Sequence, residues 1–485
     1  MLFNSLEFFI FLPIVFALYW LIGNNRIKQQ NLLIAIASYV FYGWWDWRFL
    51  SLIVFSTLVD FTIGKRLAKE DRQHYRKILL WTSILVNLGF LGFFKYYNFF
   101  VDNFVAAFSF FGQPIQPNTL NIILPVGISF YTFQTLSYTI DVYKKKLEPT
   151  NSLIDFAAFV AFFPQLVAGP IERASNLLPQ FYKKRQFKFI NLQFGLIRIL
   201  WGLFKKVVIA DRLAIMVNEV YNNPMDYGGA QYVIATVFFA FQIYCDFSGY
   251  SDIAIGTARL FGFRLMENFR SPYFSKSIGE FWRRWHISLS TWFRDYLYIP
   301  LGGSRSSQSK VYFNLMLVFV VSGFWHGAQW TFIIWGALHG TILILENFTK
   351  KHKITLFKKE NVFSNIAQIL IVFFITGVAW IFFRANTTGE AFHIVGHLFD
   401  FSQPLASSIR GMTLYLGGPF WKLLACFGLI LFLLFTEHNI NRGKLTENKI
   451  IQQPTIMRWS IYSALALSIF MFGAFDVERF IYFQF

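Results

Sequence analysis

Two motifs of this chain carry the clearest indications of its fold class and of its functional residues. They are Phe281-Trp282-Arg283-Arg284-Trp285-His286-Ile287-Ser288-Leu289-Ser290 and Gly323-Phe324-Trp325-His326-Gly327. The first lies within a basic, aromatic segment, 264–310, whose apolar positions are spaced as in an amphipathic helix that lies in a membrane interface. The second ends an apolar run with an ionisable side chain, which is costly inside a membrane and usually marks a functional position. His326 is therefore the first candidate functional residue.

The composition places the chain among integral membrane proteins. Of its 485 residues, 55% are hydrophobic and only 14% are charged, whereas soluble domains carry about 25% charged residues. Hydrophobic stretches of roughly 18 to 25 residues recur along the chain, which is typical of spanning helices and not of a barrel. We predict an all-α multi-pass integral membrane protein that forms one domain over residues 1–485.

The apolar segments predict about 11 to 13 transmembrane helices, together with re-entrant and interfacial helices. Segment 156–170 contains Pro164 and an Ala168-Gly169-Pro170 turn, which predict a broken, re-entrant element. The predicted spans lie near 8–22, 31–45, 49–63, 78–94, 122–140, 193–217, 232–244, 311–324, 332–345, 366–383, 423–435 and 461–475.

The positive charge indicates topology and not nucleic-acid binding. The chain has 44 basic and 26 acidic residues, and the basic ones cluster between apolar segments. The positive-inside rule then places the basic links in the cytoplasm and both termini outside it. Membrane lipid is the expected surrounding partner, and no nucleic acid is expected.

Several charges fall inside apolar segments. We expect Lys205 and Lys206 to snorkel to the cytoplasmic face, although pairing or a cavity would also accommodate them. Asp246 and Asp252 suggest acid/base chemistry, but capping of a helix end explains them at least as well.

His326 is the candidate catalytic residue, and a second histidine, His286, lies in the interfacial segment that precedes it. Burial disfavours an imidazolium, so we expect His326 to be a neutral base; a structural histidine bonded to a carbonyl is the alternative. His339 either lines the same cavity or packs in the core. The sequence holds no His-Glu-x-x-His motif, no pair of zinc-ligating cysteines, no Gly-x-Ser-x-Gly elbow and no P-loop. We therefore expect no metal site, and a histidine-assisted reaction between bound substrates.

Five motifs resemble the membrane-bound O-acyltransferase family, and most closely its bacterial branch that contains the alginate O-acetyltransferase membrane subunit. The C-terminal segment 480–485 also looks like that branch. The motifs are Leu124-Pro125-Val126-Gly127-Ile128-Ser129-Phe130-Tyr131-Thr132-Phe133, Phe163-Pro164-Gln165-Leu166-Val167-Ala168-Gly169-Pro170-Ile171, Asp246-Phe247-Ser248-Gly249-Tyr250-Ser251-Asp252, the stretch 281–290, and Trp325-His326-Gly327-Ala328.

The resemblance implies helices around a central funnel or tunnel, with His326 at its narrow centre. It implies that His286 positions the thioester or the acceptor, and that no cofactor is bound. The implied activity is transfer of an acetyl group from a cytoplasmic thioester, acetyl-CoA being the expected donor, across the bacterial inner membrane to a polysaccharide such as alginate. The implied partner is an extracytoplasmic acetyltransferase or acceptor protein. Weaker substrate-binding candidates are Trp325, Arg284, Asp295 and Tyr298.

Other functions stay open at this point. The same fold is compatible with peptidoglycan O-acetylation or with D-alanyl transfer to teichoic acid. From other classes, the chain could be a flippase for a lipid-linked saccharide, or a noncatalytic scaffold. A flippase would not need both His286 and His326, and a scaffold would need neither.

Overall fold

The computed structural model describes residues 1–110, 119–167, 169–354, 361–402, 420–475 and 480–481. Within these ranges the chain is helical and forms no strand, which confirms the all-α prediction. Ala168 of the predicted turn and residues 482–485 of the C-terminal motif lie outside the described residues. The helices are α1 Leu6–Leu21, α2 Ile27–Gly43, α3 Leu50–Lys69, α4 Gln73–Leu91, α5 Tyr97–Phe110, α6 Ile128–Tyr143, α7 Leu153–Val160, α8 Phe163–Leu166, α9 Ala174–Phe181, α10 Phe189–Leu203, α11 Asp211–Asn222, α12 Gly229–Leu260, α13 Ile278–Arg284, α14 Ile287–Phe293, α15 Gln308–His326, α16 Trp330–Lys351, α17 Val362–Arg384, α18 Thr388–Gly396, α19 Trp421–Asn441, α20 Glu447–Ile451 and α21 Thr455–Phe472.

Several helices are long and apolar enough to cross a membrane. Seven helical segments of the described residues meet both criteria, and they contain α3, α4 with α5, α12, α16, α17, α19 and α21. The multi-pass prediction is thereby confirmed. Other predicted spans coincide with shorter helices, such as the 16-residue α1 and α6. The count of about 11 to 13 spans therefore stays a prediction.

One compact unit contains residues 1–196 and 253–266. Its helices α3, α4 and α6 are joined around the buried Asp60 carboxylate, which accepts hydrogen bonds from Ser83 (2.5 Å), Asn87 (2.8 Å) and Thr139 (3.2 Å). These bonds satisfy an acidic group that would otherwise be costly to bury. In the same unit the predicted break near Pro164 is present, because α7 ends at Val160 and α8 begins at Phe163.

The second compact unit contains residues 197–252 and 267–485. Helix α12 is the most enclosed of the long apolar helices, with 83% of its most apolar window buried. Segment 264–310 contains the short helices α13 and α14, and several of its large aromatic side chains, including Phe281 and Trp285, are buried. This unit carries both candidate histidines. The prediction of a single domain over the whole chain stays a prediction.

Candidate active site

His286 and His326 come together in the second unit although they are far apart in the sequence. Their ring centroids lie 6.4 Å apart, and their exposed fractions are 0% and 3%. The Trp325 ring lies 4.9 Å from the ring of His326 and 6.2 Å from that of His286. Three of the predicted site residues therefore form one buried cluster.

His326 is placed by the end of a helix. It is the last residue of α15, and Gly327 continues in an extended conformation. A Cβ atom at Gly327 would lie 2.1 Å from the ring of Phe332, so only glycine leaves room for that ring. Phe332 packs against Phe383, whose ring lies 5.4 Å from the ring of His326. The glycine of the Trp-His-Gly motif thus lets an aromatic wall close around the imidazole.

His286 is held in a strained backbone conformation. It precedes α14 with φ 42° and ψ 54°, in the left-handed region, which costs roughly 1 to 2 kcal/mol for a residue with a side chain. Asn268 stabilises this turn. Its backbone oxygen accepts a hydrogen bond from the Ile287 amide at 2.9 Å, and its side-chain oxygen accepts one from the Ser288 hydroxyl at 2.8 Å. Strain held by neighbouring contacts is common at functional sites.

The same asparagine determines the tautomer of His286. The Asn268 amide nitrogen donates to the Ser251 hydroxyl at 3.1 Å, which turns its oxygen toward Nδ1 of His286, also at 3.1 Å. Nδ1 therefore carries the proton, and Nε2 presents its lone pair. Within the described part of the chain, Nε2 has no hydrogen-bond partner. Burial lowers the pKa of His286, which lies outside the spanning helices, to about 3, so the imidazole is neutral near pH 7.

Helix α12 supports this arrangement from one side. The ring of Phe247 lies 4.6 Å from that of His286 in an edge-to-face contact. Ser251, one turn further along the same helix, receives the hydrogen bond from Asn268. The middle of the Asp-Phe-Ser-Gly-Tyr-Ser-Asp motif therefore contacts the histidine site directly and through Asn268.

The two carboxylates of that motif bind buried lysines. Lys205 pairs with Asp252 at 2.6 Å, while Lys206 pairs with Asp246 at 2.8 Å and with Asp211 at 2.6 Å. The lysine side chains are only 3% and 1% exposed. The prediction that Lys205 and Lys206 snorkel to the membrane face is therefore wrong, because buried carboxylates lie within reach of both.

Capping of a helix end by Asp246 and Asp252 is also wrong, since both lie within α12. The two lysines occupy a π-helical segment, Phe204–Ala210, between α10 and α11. Arg198 extends the network, pairing with Asp252 at 2.7 Å, Glu267 at 2.5 Å and Glu447 at 2.6 Å. Buried charges are tolerated when they are paired in this way. The network anchors the helix that supports His286.

Comparison with known proteins identifies the family. The model of the membrane-bound O-acyltransferase family matches residues 144–385, a range that contains both histidines. A probable alginate O-acetylase of Pseudomonas aeruginosa is 44% identical over 404 residues, which cover 83% of this chain and 75% of that protein. The chain belongs to the membrane-bound O-acyltransferase family.

Two further relatives of this acyltransferase have different names. A peptidoglycan O-acetyltransferase of Helicobacter pylori is 38% identical over 429 residues, which cover 81% of this chain and 79% of that protein. A teichoic acid D-alanyltransferase of Bacillus subtilis is 29% identical over 304 residues, covering 58% and 72%. All of them are acyltransferases by name, and together with the family they identify this protein as a membrane-bound acyltransferase.

Two of the weaker candidate substrate-binding residues of the acyltransferase form ion pairs with nearby residues of the chain. Arg284 forms an ion pair with Glu280 at 2.7 Å, and Asp295 forms one with Arg294 at 2.7 Å. Tyr298 ends a π-helical turn, Arg294–Tyr298. The substrate-binding roles of Arg284, Asp295 and Tyr298 stay predictions.

The packing interpretation of His339 has structural support. Its Nδ1 accepts a hydrogen bond from Nε1 of Trp282 at 3.3 Å, and its ring lies 5.2 Å from that of Trp335. Trp335 in turn lies 5.1 Å from the ring of His326. His339 is therefore a buried histidine in the same aromatic cluster, one ring away from His326.

Sequence reasoning missed the residues that hold the acyltransferase site in place. Asn268 gave no motif signal, since a single asparagine in a basic segment has no diagnostic spacing. Phe383 and Trp335 are ordinary aromatic residues of spanning helices. The charged residues in apolar segments were a usable signal. A lysine and an aspartate are each costly to bury there, and pairing with each other offsets that cost.

Proposed function

We propose that this protein takes an acetyl group from a cytoplasmic thioester, acetyl-CoA, and passes it across the bacterial inner membrane for O-acetylation of an alginate-like exopolysaccharide. An extracytoplasmic acetyltransferase or acceptor protein would be its partner. The observation that carries the proposal is the buried pair His286 and His326, with rings 6.4 Å apart, inside the region that matches the family model. The alginate assignment is supported by relatives of that name at 41% to 44% identity.

The geometry suggests separate roles for the two histidines. In the proposed step the acceptor hydroxyl attacks the thioester carbonyl carbon, a C–O bond forms and the C–S bond breaks. His326 takes the hydroxyl proton and returns it to the departing thiolate, so that protons and charge balance. General-base assistance of this kind typically contributes about 10²- to 10⁴-fold. Nε2 of His286, which presents a lone pair, accepts a hydrogen bond from another hydroxyl group of the sugar acceptor and so orients that substrate.

The surroundings of the pair favour transfer over hydrolysis. Trp325, Trp335 and Phe383 place aromatic rings within 5.4 Å of the His326 ring centroid. Such walls exclude water that would otherwise compete with the acceptor hydroxyl for the thioester. The acyl group would then pass from donor to acceptor within an enclosed site.

Peptidoglycan is the second candidate acceptor. The Helicobacter pylori relative is named for peptidoglycan O-acetylation and is 38% identical over most of both chains. Both acceptors would present a sugar hydroxyl to the same histidine pair. The choice between them therefore has to be measured on the polymers themselves.

The decisive experiment uses a strain that lacks the native gene and expresses either the wild-type protein or His326→Ala. Ester-linked acetate is measured separately on extracellular polysaccharide and on peptidoglycan, with the amount of protein in the membrane determined in parallel. We expect acetate to be lost from the exopolysaccharide alone. His339→Ala is the matched control, because it removes another buried histidine of the same aromatic cluster.

Three outcomes would change the assignment. Loss of acetate from peptidoglycan alone would transfer the proposal to that polymer. Unchanged acetate on both polymers at normal protein level would refute catalysis by His326. Partial activity of His326→Gln, together with no thioester consumption by the purified protein and its partner, would favour a flippase.

A further inference from the structure

A large cavity lies in the unit formed by residues 197–252 and 267–485. Its volume is about 900 Å³, and helices α10, α19 and α21 contribute to its walls. Ligand-binding cavities typically measure about 300 to 1,000 Å³. Neither His286 nor His326 lines it. The proposed acetyl transfer therefore does not account for this space.

Part of the cavity wall is apolar. Helix α21 lines it with Ile461, Ala464, Leu465 and Ser468, which recur at the spacing of one helix face. Phe432 and Phe435 of α19 lie on the wall as well. Such a surface suits aliphatic chains and offers few polar groups to a water-soluble ligand.

The wall also contains charged residues, and most of their charges are already paired. Arg198, Lys205 and Asp252 line the cavity and belong to the ion-pair network described above. Because these charges are paired within the protein, they would attract an additional charged group only weakly. A charged ligand group would have to be recognised by other residues of the wall.

Glu437 is such a residue. It lines the cavity, its residue is only 5% exposed, and its Oε1 accepts a hydrogen bond from the Tyr244 hydroxyl at 2.6 Å. Among the residues that the structure describes, no cation forms a salt bridge with it. A buried carboxylate without a cation is costly, and a cationic ligand group in the cavity would compensate it.

Arg270 supplies the complementary charge. It lines the cavity and is exposed, and its amide nitrogen bonds to the backbone oxygen of Arg284. Its guanidinium forms no salt bridge within the described ranges. The cavity thus offers one available carboxylate and one available guanidinium in addition to the apolar chamber lined by α19 and α21.

We propose that this cavity binds one zwitterionic phospholipid with a primary ammonium head group, of the phosphatidylethanolamine type. The ammonium group pairs with Glu437, the phosphate lies near Arg270, and the acyl chains occupy the space between α19 and α21. A cation of this kind forms strong charge-assisted hydrogen bonds with a carboxylate. An anionic phospholipid would satisfy Arg270 but would leave Glu437 without a cation.

The test uses the full-length protein purified in detergent and incubated with equal amounts of isotope-labelled phosphatidylethanolamine and phosphatidylglycerol. Lipid retained after washing is extracted and quantified by mass spectrometry. Ala464→Phe fills the apolar chamber, and Ala466→Phe is its control, because Ala466 is exposed on the same helix and does not line the cavity.

A second pair of variants tests the carboxylate. Glu437→Gln removes the charge while keeping the shape of the side chain. Its control is Glu219→Gln, because Glu219 also accepts a hydrogen bond from a tyrosine hydroxyl, that of Tyr227 at 3.0 Å, and lies outside the cavity wall. The two substitutions thus remove the same charge from a carboxylate that binds a tyrosine hydroxyl, although Glu437 is buried and Glu219 is half-buried.

We expect the wild-type protein and both controls to retain phosphatidylethanolamine preferentially. Ala464→Phe should lose it, and Glu437→Gln should bind it about tenfold more weakly, the size expected for one charge-assisted hydrogen bond. Equal retention by Ala464→Phe and Ala466→Phe would overturn the site. Preferential retention of phosphatidylglycerol, or no effect of Glu437→Gln, would overturn the recognition by Glu437.

Discussion

Replacement of Asn268 by alanine tests how the site holds His286. The substitution removes the oxygen that accepts hydrogen bonds from Nδ1 of His286 at 3.1 Å and from the Ser288 hydroxyl at 2.8 Å. The imidazole would then be free to exchange tautomers and to rotate. We expect acetyl transfer to slow while the thioester donor still binds, because the reacting groups themselves are unchanged.

The size of the effect follows from the hydrogen bonds lost. The Asn268 side chain makes four hydrogen bonds in all: with Nδ1 of His286, with the hydroxyl and the amide of Ser288, and to the Ser251 hydroxyl. The two that bear most directly on the imidazole are those from Nδ1 of His286 and from the Ser288 hydroxyl, and at about 0.5 to 1.5 kcal/mol each they amount to about 1 to 3 kcal/mol. If that free energy serves to hold the catalytic geometry, kcat falls about 5- to 150-fold. The value of KM for the thioester should change little, since His286 is proposed to orient the substrate and not to supply most of its binding energy.

The assay measures thiol release from the donor by the purified protein together with its extracytoplasmic partner, and thermal unfolding in detergent is recorded in parallel. Asn314→Ala is the matched control, because Asn314 is 1% exposed and donates one hydrogen bond, to the backbone oxygen of Leu301 at 3.3 Å. If Asn268→Ala retained wild-type kcat while both variants lost similar stability, the positioning role of Asn268 would be refuted.

Two further substitutions test the surroundings of the site. Lys205→Met leaves Asp252 buried with Arg198 as its remaining salt-bridge partner. We therefore expect a destabilisation below the about 3 to 5 kcal/mol of an uncompensated buried charge, measured by thermal unfolding, and partial recovery in Lys205→Met with Asp252→Leu. An unchanged melting temperature in the single variant would contradict the buried ion pair. Gly327→Ala places a Cβ atom 2.1 Å from the Phe332 ring and should reduce acetyl transfer, because it displaces the aromatic wall beside His326. Adding Phe332→Leu to that variant should restore part of the activity. Gly428→Ala is the control, since a Cβ atom there meets no atom within 4 Å; equal activity of the two glycine variants would show that the close contact at Gly327 is unimportant.

The class of the protein is accessible from sequence because it depends on local composition. A long apolar segment must form a helix in a membrane whatever its neighbours are, since its backbone groups find no water there. The cost of burying His326 is likewise a local property, so the apolar run that precedes it is enough to single out that residue. His286 was recognised through motif resemblance, since its spacing from His326 predicts no contact.

The failures concern residues whose state depends on partners far along the chain. Lys205 and Lys206 were expected to reach the membrane face because the sequence shows the cost of burying them but not the distance to Asp252 and Asp246. In the folded chain those carboxylates lie 2.6 and 2.8 Å from the ammonium groups of Lys205 and Lys206, so the ion pairs offset the cost of burying the two lysines. The role of Asn268 was invisible for the same reason.

Sequence alone therefore determined that this chain is an all-α membrane protein and that a histidine at the end of an apolar run needs an explanation. The tertiary structure decided which groups meet: the second histidine, the asparagine that orients it, and the carboxylates that neutralise two buried lysines. Hydropathy and helix periodicity act over a few turns of one segment, whereas hydrogen bonds and ion pairs depend on distances of about 3 Å between segments, which only the folded chain defines.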